Sequence, residues 1–128
     1  MLNHLKFPFL LFLSILFAAS DSYSAVVHRI DLNGTIDPLH AEYVIRAIDL
    51  AEAADSDLVL IKLNTPGGMV ESMELMGRRV LSSKAPVAVW VGPSGTRAAS
   101  AGFFLLVTAD VAAMAPGTRT GAAHPILS

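Results

Sequence analysis

Ser100 is the side chain of this sequence best suited to nucleophilic chemistry. It lies in the segment RAASAG (97–102), whose small neighbours leave room for a substrate carbonyl. A serine hydroxyl attacks such a carbonyl only when a base removes its proton. The backbone N–H of Ala101 would then point toward the developing oxyanion. The alternative interpretation is a helix cap or a packing residue at a helix start.

A second loop, NTPGG (64–68), offers backbone donors for the same chemistry. Gly67 and Gly68 allow a tight turn, and neither carries a Cβ that would cover its N–H group. Such N–H groups at a helix start stabilise an oxyanion or bind a phosphate. The alternative is an ordinary tight connection between a strand and a helix.

The base is harder to find. His124 follows Ser100 by 24 residues, and an imidazole titrates near neutral pH. No acidic residue follows Asp110, so none comes after His124 to orient its ring. We therefore treat His124 as a secondary candidate base, with a plain loop histidine as the alternative. The four histidines have no metal-ligand spacing and cysteine is absent, so we expect neither a metal nor a cofactor.

These loops must be held by alternating strands and helices. Apolar runs and turn signals predict strands over 25–32, 58–63, 87–91 and 111–114, and helices over 40–54, 69–82 and 97–108. The Asp37-Pro38 pair is typical of a helix start. Such alternation predicts an α/β domain with parallel strand pairing. Both loops follow a predicted strand, and ligands collect beyond the carboxyl ends of parallel strands.

Composition limits the size and partners of the protein. The 128 residues allow one domain, and a net charge of −2 gives no reason to expect nucleic acid. Residues 1–24 carry a basic start, the apolar run FPFLLFLSILFAA (7–19) and small residues after it. This pattern predicts a signal peptide that is cleaved after Ser24, and hence an exported protein. An uncleaved anchor or a buried helix is the alternative.

Together, the motifs indicate a family. The ordered segments LIKLNTPGG (60–68), KAPV (84–87) and AASAG (98–102) resemble the Clp-protease-like serine peptidases. The later segments MAPGT (114–118) and GAAHP (121–125) make the chain more similar to the NfeD-like, membrane-associated branch, the stomatin-operon partner proteases. The resemblance implies a Clp-protease/crotonase-like repeated strand–helix fold over residues 25–128.

The resemblance also implies roles for individual residues. Ser100 matches the nucleophile, Gly68 with Gly67 beside it matches one oxyanion-hole donor, and Ala101 matches the other. The base implied is a lysine a few tens of residues beyond the serine. All three lysines of this chain precede Ser100. We therefore expect a partial domain whose C-terminal part is missing and which is inactive by itself.

The function implied is an exported serine endopeptidase that cleaves apolar polypeptide segments at a membrane. A stomatin-like membrane protein is the implied substrate, and assembly into a homo-oligomer is expected. Two other functions stay open. The first is that of an inactive binding or scaffold fragment of the same fold. The second is that of a crotonase-like acyl-CoA enzyme, which needs no serine.

Overall fold

A computed structural model describes residues 23–124 as six strands and three helices. The strands are β1 (Val27–Asn33), β2 (Leu58–Asn64), β3 (Val87–Val91), β4 (Arg97–Ala99), β5 (Val111–Met114) and β6 (Arg119–Gly121). The helices are α1 (Pro38–Ala53), α2 (Val70–Leu81) and α3 (Ala101–Val107). Residues 1–22 of the predicted signal peptide lie outside the described range.

The main sheet is parallel throughout, in the order β1-β2-β3-β5. Side chains of β2 and β3 alternate between fully buried and half-buried, because successive residues of a strand point to opposite faces. The buried set of β2 consists of Val59, Ile61 and Leu63, which are 0% exposed. The predicted α/β fold with parallel pairing is confirmed.

Helix α1 begins where the sequence places a cap. The Asp37 carboxylate accepts a hydrogen bond from the backbone N–H of His40 at 2.9 Å, and Pro38 occupies the first turn, where its missing N–H costs nothing. The backbone hydrogen bond from His40 lowers the pKa of Asp37. This cap directs the chain from the sheet into α1 directly after Ile36, a residue that contacts the candidate site.

The helix predicted over 97–108 is wrong in its first part. Residues Arg97–Ala99 form β4, which pairs in parallel with β6 as a separate two-stranded sheet. Helix α3 starts only after Ser100, whose φ of 53° is incompatible with a right-handed helix. Strand β6 was not predicted, and the first strand, predicted over 25–32, spans Val27–Asn33 as β1.

Within residues 23–124, no helix combines the length and apolar character needed to cross a membrane.

Candidate active site

The loop after β2 lies directly beside β4. The backbone N–H of Thr65 donates to the carbonyl of Arg97 at 2.7 Å, and the N–H of Ala99 donates to the carbonyl of Thr65 at 3.1 Å. These bonds are those of one parallel strand bridge, between Thr65 and Ala98. The two loops singled out in the sequence therefore meet through backbone hydrogen bonds, one residue before Ser100.

Gly68 is fixed from the other side by Ile36. The N–H of Ile36 donates to the carbonyl of Gly67 at 2.8 Å, and the N–H of Met69 donates to the carbonyl of Ile36 at 2.9 Å. A Cβ on Gly68 would lie 2.0 Å from the carbonyl oxygen of Ile36, so only glycine fits. In this bridge the Gly68 N–H itself points away from Ile36, and within residues 23–124 it donates to no protein acceptor.

Gly67 provides clearance for the serine. Its φ is +112°, and a Cβ built on it would lie 2.7 Å from Ser100 Cβ and 3.3 Å from Ser100 Oγ. The Gly67 N–H donates to Thr65 Oγ1 at 3.0 Å. Because that N–H already has an acceptor, Gly68 is the better placed of the two glycines to donate to a ligand.

Ser100 has an unusual backbone conformation. Its φ and ψ are 53° and −117°, a region that costs about 1–3 kcal/mol for a residue with a side chain. The bond from the Ser100 N–H to the carbonyl of Gly121, 2.8 Å long, holds this turn. The side chain makes no capping hydrogen bond to α3. Ser100 is therefore a strained, half-buried residue between the strand β4 and the helix α3.

Ala101 is the first residue of α3, directly after this turn. The first N–H groups of a helix have no acceptor within the helix, and its positive dipole end favours negative charge there. Gly102 permits close packing at this point, because a Cβ on it would lie 2.3 Å from Thr65 Cγ2. The site therefore brings Ser100, Gly67, Gly68 and Ala101 together.

His124 is not joined to this group. Its side chain is exposed, after the end of β6, and no hydrogen bond within residues 23–124 connects it to Ser100. Asp110, the last acidic residue, accepts a hydrogen bond from the N–H of Val87 at 2.8 Å instead. Nothing in the described part of the chain orients the His124 imidazole.

The two described lysines lie elsewhere. Lys62 Nζ is 3.9 Å from Asp31 Oδ1 on the half-exposed face of the main sheet. Lys84 is exposed and precedes β3, at the amino end of the strands. Ser100 lies beyond the opposite, carboxyl end.

Thr65 has a role in the site that its sequence position did not predict. It is fully buried, its hydroxyl contacts both the N–H and the carbonyl of Gly67, and its methyl group packs at Gly102. In the sequence, Thr65 directly follows β2 and precedes Pro-Gly-Gly, a position that does not by itself predict the contact with Gly102. Thr65 is the side chain that ties the two loops together.

Comparison with known proteins identifies the family. The sequence pattern described as NfeD1b, N-terminal domain, matches residues 26–128. The chain belongs to the NfeD1b N-terminal domain family. It is 37% identical over 102 residues to the membrane-bound protease PH1510 of Pyrococcus horikoshii, and 34% identical over 97 residues to the membrane protein NfeD1b of Bacillus subtilis. These alignments cover 80% and 76% of this chain but only 23% and 22% of the two relatives. This chain therefore spans less than a quarter of the length of either relative.

Solved structures agree on the fold. A mutant of the 1510-N membrane-bound stomatin-specific protease in complex with a substrate peptide superimposes with a TM-score of 0.78 at 36% identity, over 82% of this chain and 48% of that one. A mutant of ClpP1 from Listeria monocytogenes gives a TM-score of 0.67 at 27% identity, over 73% and 54% of the two chains. The Clp-protease-like fold is therefore confirmed.

Proposed function

We propose that this chain provides the nucleophile and the oxyanion hole of a serine peptidase. The observation that carries the proposal is the strained turn at Ser100, which sets the hydroxyl against Gly67 and next to the start of α3. A serine in such a backbone conformation lowers the stability of the fold, and backbone strain of this kind clusters at active sites.

The reaction follows from these positions. Ser100 Oγ attacks the carbonyl carbon of the scissile peptide while a base takes its proton. The N–H groups of Gly68 and Ala101 donate to the oxyanion of the tetrahedral intermediate. The base then returns the proton to the leaving amine, and a water molecule hydrolyses the acyl-enzyme. Each missing oxyanion donor would slow the reaction about 10²–10³-fold.

The proposed base is a lysine a few tens of residues beyond Ser100, as the family resemblance implies. Lys62 and Lys84 are unsuited to the role because of the positions described above. His124 is the second candidate, weakened by the lack of an orienting carboxylate among the described residues. This chain alone is therefore expected to have little activity, which also supports the second candidate function, a binding or scaffold role.

The proposed substrate is an apolar polypeptide segment of a stomatin-like membrane protein. The relatives described as stomatin-specific and membrane-bound support this substrate class. The signal-peptide pattern over residues 1–24 supports an exported, membrane-associated location outside the cytoplasm.

The test measures cleavage of a fluorogenic apolar peptide taken from a stomatin-like protein. We expect little cleavage by the 128-residue chain, and a rate roughly 10²–10⁴-fold higher for a form extended at its C-terminus by a segment that supplies the proposed lysine. Ser100→Ala in the extended form should abolish the gain, whereas Ser94→Ala, in the loop after β3, should not. Loss of activity in His124→Ala but not in the lysine variant would replace the lysine with a histidine base.

The other functions make different predictions for the same proteins. Turnover of an acyl-CoA thioester that survives Ser100→Ala would favour the crotonase-like enzyme. An extended form that binds the peptide without cleaving it would favour the scaffold.

A further inference from the structure

Asp57 contacts the chain on both sides of the predicted cleavage point. Its Oδ1 atom accepts a hydrogen bond from the Tyr23 hydroxyl, and its Oδ2 atom accepts one from the backbone N–H of Val26 at 2.7 Å. The Asp57 N–H in turn donates to the carbonyl of Val26 at 2.8 Å. Cleavage after Ser24, as the sequence predicts, removes Tyr23 and makes Ala25 the first residue. One carboxylate oxygen thus loses its donor in the step that creates a terminal ammonium group.

The new ammonium group forms within reach of this carboxylate. The Val26 nitrogen is 2.7 Å from Asp57 Oδ2, and the nitrogen atoms of neighbouring residues are at most about 3.7 Å apart. The Ala25 nitrogen therefore lies within about 6.4 Å of that oxygen. Rotation about the Cα–C bond of Ala25 moves the terminal nitrogen closer without breaking the hydrogen bond from Val26. The carboxylate can then accept from the ammonium group and from the next N–H together.

The cavity beside Asp57 carries an excess of negative charge. It has a volume of about 700 Å³ at the amino end of the sheet, and the charged residues that line it are Asp49, Glu52, Asp55, Asp57 and Lys84. Arg79 neutralises part of this set, since its guanidinium is 2.8 Å from Asp49 and 3.0 Å from Glu52. Asp57 differs, because its donors within residues 23–124 are a hydroxyl and backbone N–H groups, all of them neutral. A cation would complete the partners of this carboxylate.

Ser56 adds a second acceptor to the same cavity. It is 8% exposed and lines the cavity next to Asp57, and its Oγ has no hydrogen-bond partner within residues 23–124. A buried hydroxyl without a partner is destabilising, and such groups in native proteins are rare. An ammonium group carries three N–H donors, enough for the carboxylate and for this hydroxyl. The cavity therefore offers an anion and a neutral acceptor to one cationic group.

We propose that the α-ammonium group of Ala25, formed by the predicted cleavage, binds in this cavity and pairs with Asp57. The proposal rests on the cleavage point and not on the peptidase function, since Ser100 lies beyond the opposite end of the sheet. The occupant is the terminus of the chain itself, because the hydrogen bond from Val26 tethers the ammonium group beside the carboxylate at a high effective concentration. Before cleavage Tyr23 occupies Asp57, and afterwards the ion pair holds the start of β1.

The first measurement identifies the N-terminus of the exported protein by intact mass spectrometry, after expression with its own signal segment in a secreting host. We expect a chain that begins at Ala25. Any other first residue, or an uncleaved chain, would overturn the proposal, because the ammonium group would then lie at least one residue away from the position beside Asp57.

The second measurement follows the titration of the Ala25 amino group in the processed protein by NMR, at low ionic strength. Pairing should raise the pKa of this group by about 0.5 or more above its ordinary value of about 7.8. Asp57→Asn should remove most of that rise. Asp55→Asn is the matched control, because it removes a carboxylate from the same cavity at a φ of 50°, which asparagine also adopts. Equal effects of the two substitutions, or an ordinary pKa in the native protein, would contradict the proposal.

The third measurement moves the ammonium group and leaves the carboxylate in place, so it does not depend on the folding of Asp57→Asn. Insertion of one alanine between Ser24 and Ala25 places the new terminus one residue further from Asp57. An amino group whose pKa is higher in the folded than in the unfolded protein stabilises the fold below its unfolded pKa, and this contribution is lost as the pH rises. Between pH 7 and pH 9.5 the native processed chain should therefore lose about 3 °C more in melting temperature than the insertion variant. An identical pH dependence in the two chains would overturn the proposal.

Discussion

The amino and carboxyl ends of the main sheet differ in the groups that accept hydrogen bonds from the backbone N–H groups there. At the amino end, carboxylates accept from the residues that lead into strands: Asp57 from Val26 at 2.7 Å, Glu52 from Lys84 at 2.7 Å and Asp110 from Val87 at 2.8 Å. At the carboxyl end, glycines and backbone bridges hold the chain, and no carboxylate among residues 23–124 accepts from the Gly68 N–H. The oxyanion hole proposed at the carboxyl end requires this difference, because a carboxylate there would occupy the donors and repel the negative charge.

The largest effect is expected from adding one methyl group at the carboxyl end. Gly68→Ala places a Cβ 2.0 Å from the carbonyl oxygen of Ile36, backbone that cannot move without breaking the bridge. We expect a loss of about 3 kcal/mol or more in the free energy of unfolding, measured by urea denaturation. Gly95→Ala is the matched control, since Gly95 has a φ of +88° but no atom within 4 Å of an added Cβ. Its cost should be the conformational strain alone, about 1–2 kcal/mol. Equal losses would show that Gly68 is needed for its φ and not for clearance.

At the carboxyl end of the sheet, the sequence predicts the first loop correctly but does not predict β4 and β6. The apolar runs of β2 and β3, together with the glycines after β2, suffice to identify the first loop. A single helix over residues 97–108 was predicted because small and apolar residues predominate there and no proline interrupts them. Backbone pairing with β6 on one side and with Thr65 on the other makes Arg97–Ala99 a strand, and β6 itself (RTG) has no apolar periodicity that would predict it.

The role of Thr65 could not be predicted from the sequence for a related reason. Its hydroxyl serves Gly67, two residues away, but its methyl group packs at Gly102, on a different loop. Contacts between residues far apart in the chain are fixed by the fold and leave no local pattern. Catalytic assignments for Ser100, Gly68 and Ala101 rest on the residue types of the two loops and on the family resemblance, and they stay predictions.

An intermediate effect is expected at Thr65 itself. Thr65→Val keeps the branched shape beside Gly102 but leaves the Gly67 N–H without its acceptor, which should cost about 1–3 kcal/mol. Thr65→Ser keeps the hydroxyl and loses the methyl group, at about 1 kcal/mol. Amide hydrogen exchange separates the two losses, since exchange at Gly67 should accelerate far more in the valine variant. Similar acceleration in both variants would mean that the hydroxyl does not hold the loop.

The smallest effect is expected at the amino end, and it depends on pH. The hydrogen bond from the Lys84 N–H, aided by Arg79, lowers the pKa of Glu52 below its ordinary value of 4.5. Hydrogen bonds from Tyr23 and from the Val26 N–H lower the pKa of Asp57 below 3.8. A carboxyl group whose pKa is lower in the folded than in the unfolded protein stabilises the fold above its unfolded pKa, and this contribution is lost as the pH falls.

The melting temperature should therefore fall as the pH is lowered from about 5 to about 3, where the unfolded chain takes up protons that the folded chain resists. Glu52→Gln keeps an oxygen to accept from Lys84 but cannot titrate, so the variant should be less stable at pH 7 and should lose less on acidification. Glu42→Gln is the control, because Glu42 meets Arg46 only at the surface of α1, where an ion pair contributes little. An unchanged pH dependence in Glu52→Gln would contradict a role for this carboxylate at the amino end. At the carboxyl end the Gly67 N–H donates to a hydroxyl group that does not titrate in this range. Its protection against amide exchange, corrected for the pH dependence of the intrinsic exchange rate, should therefore stay constant over the part of the titration in which the protein remains folded.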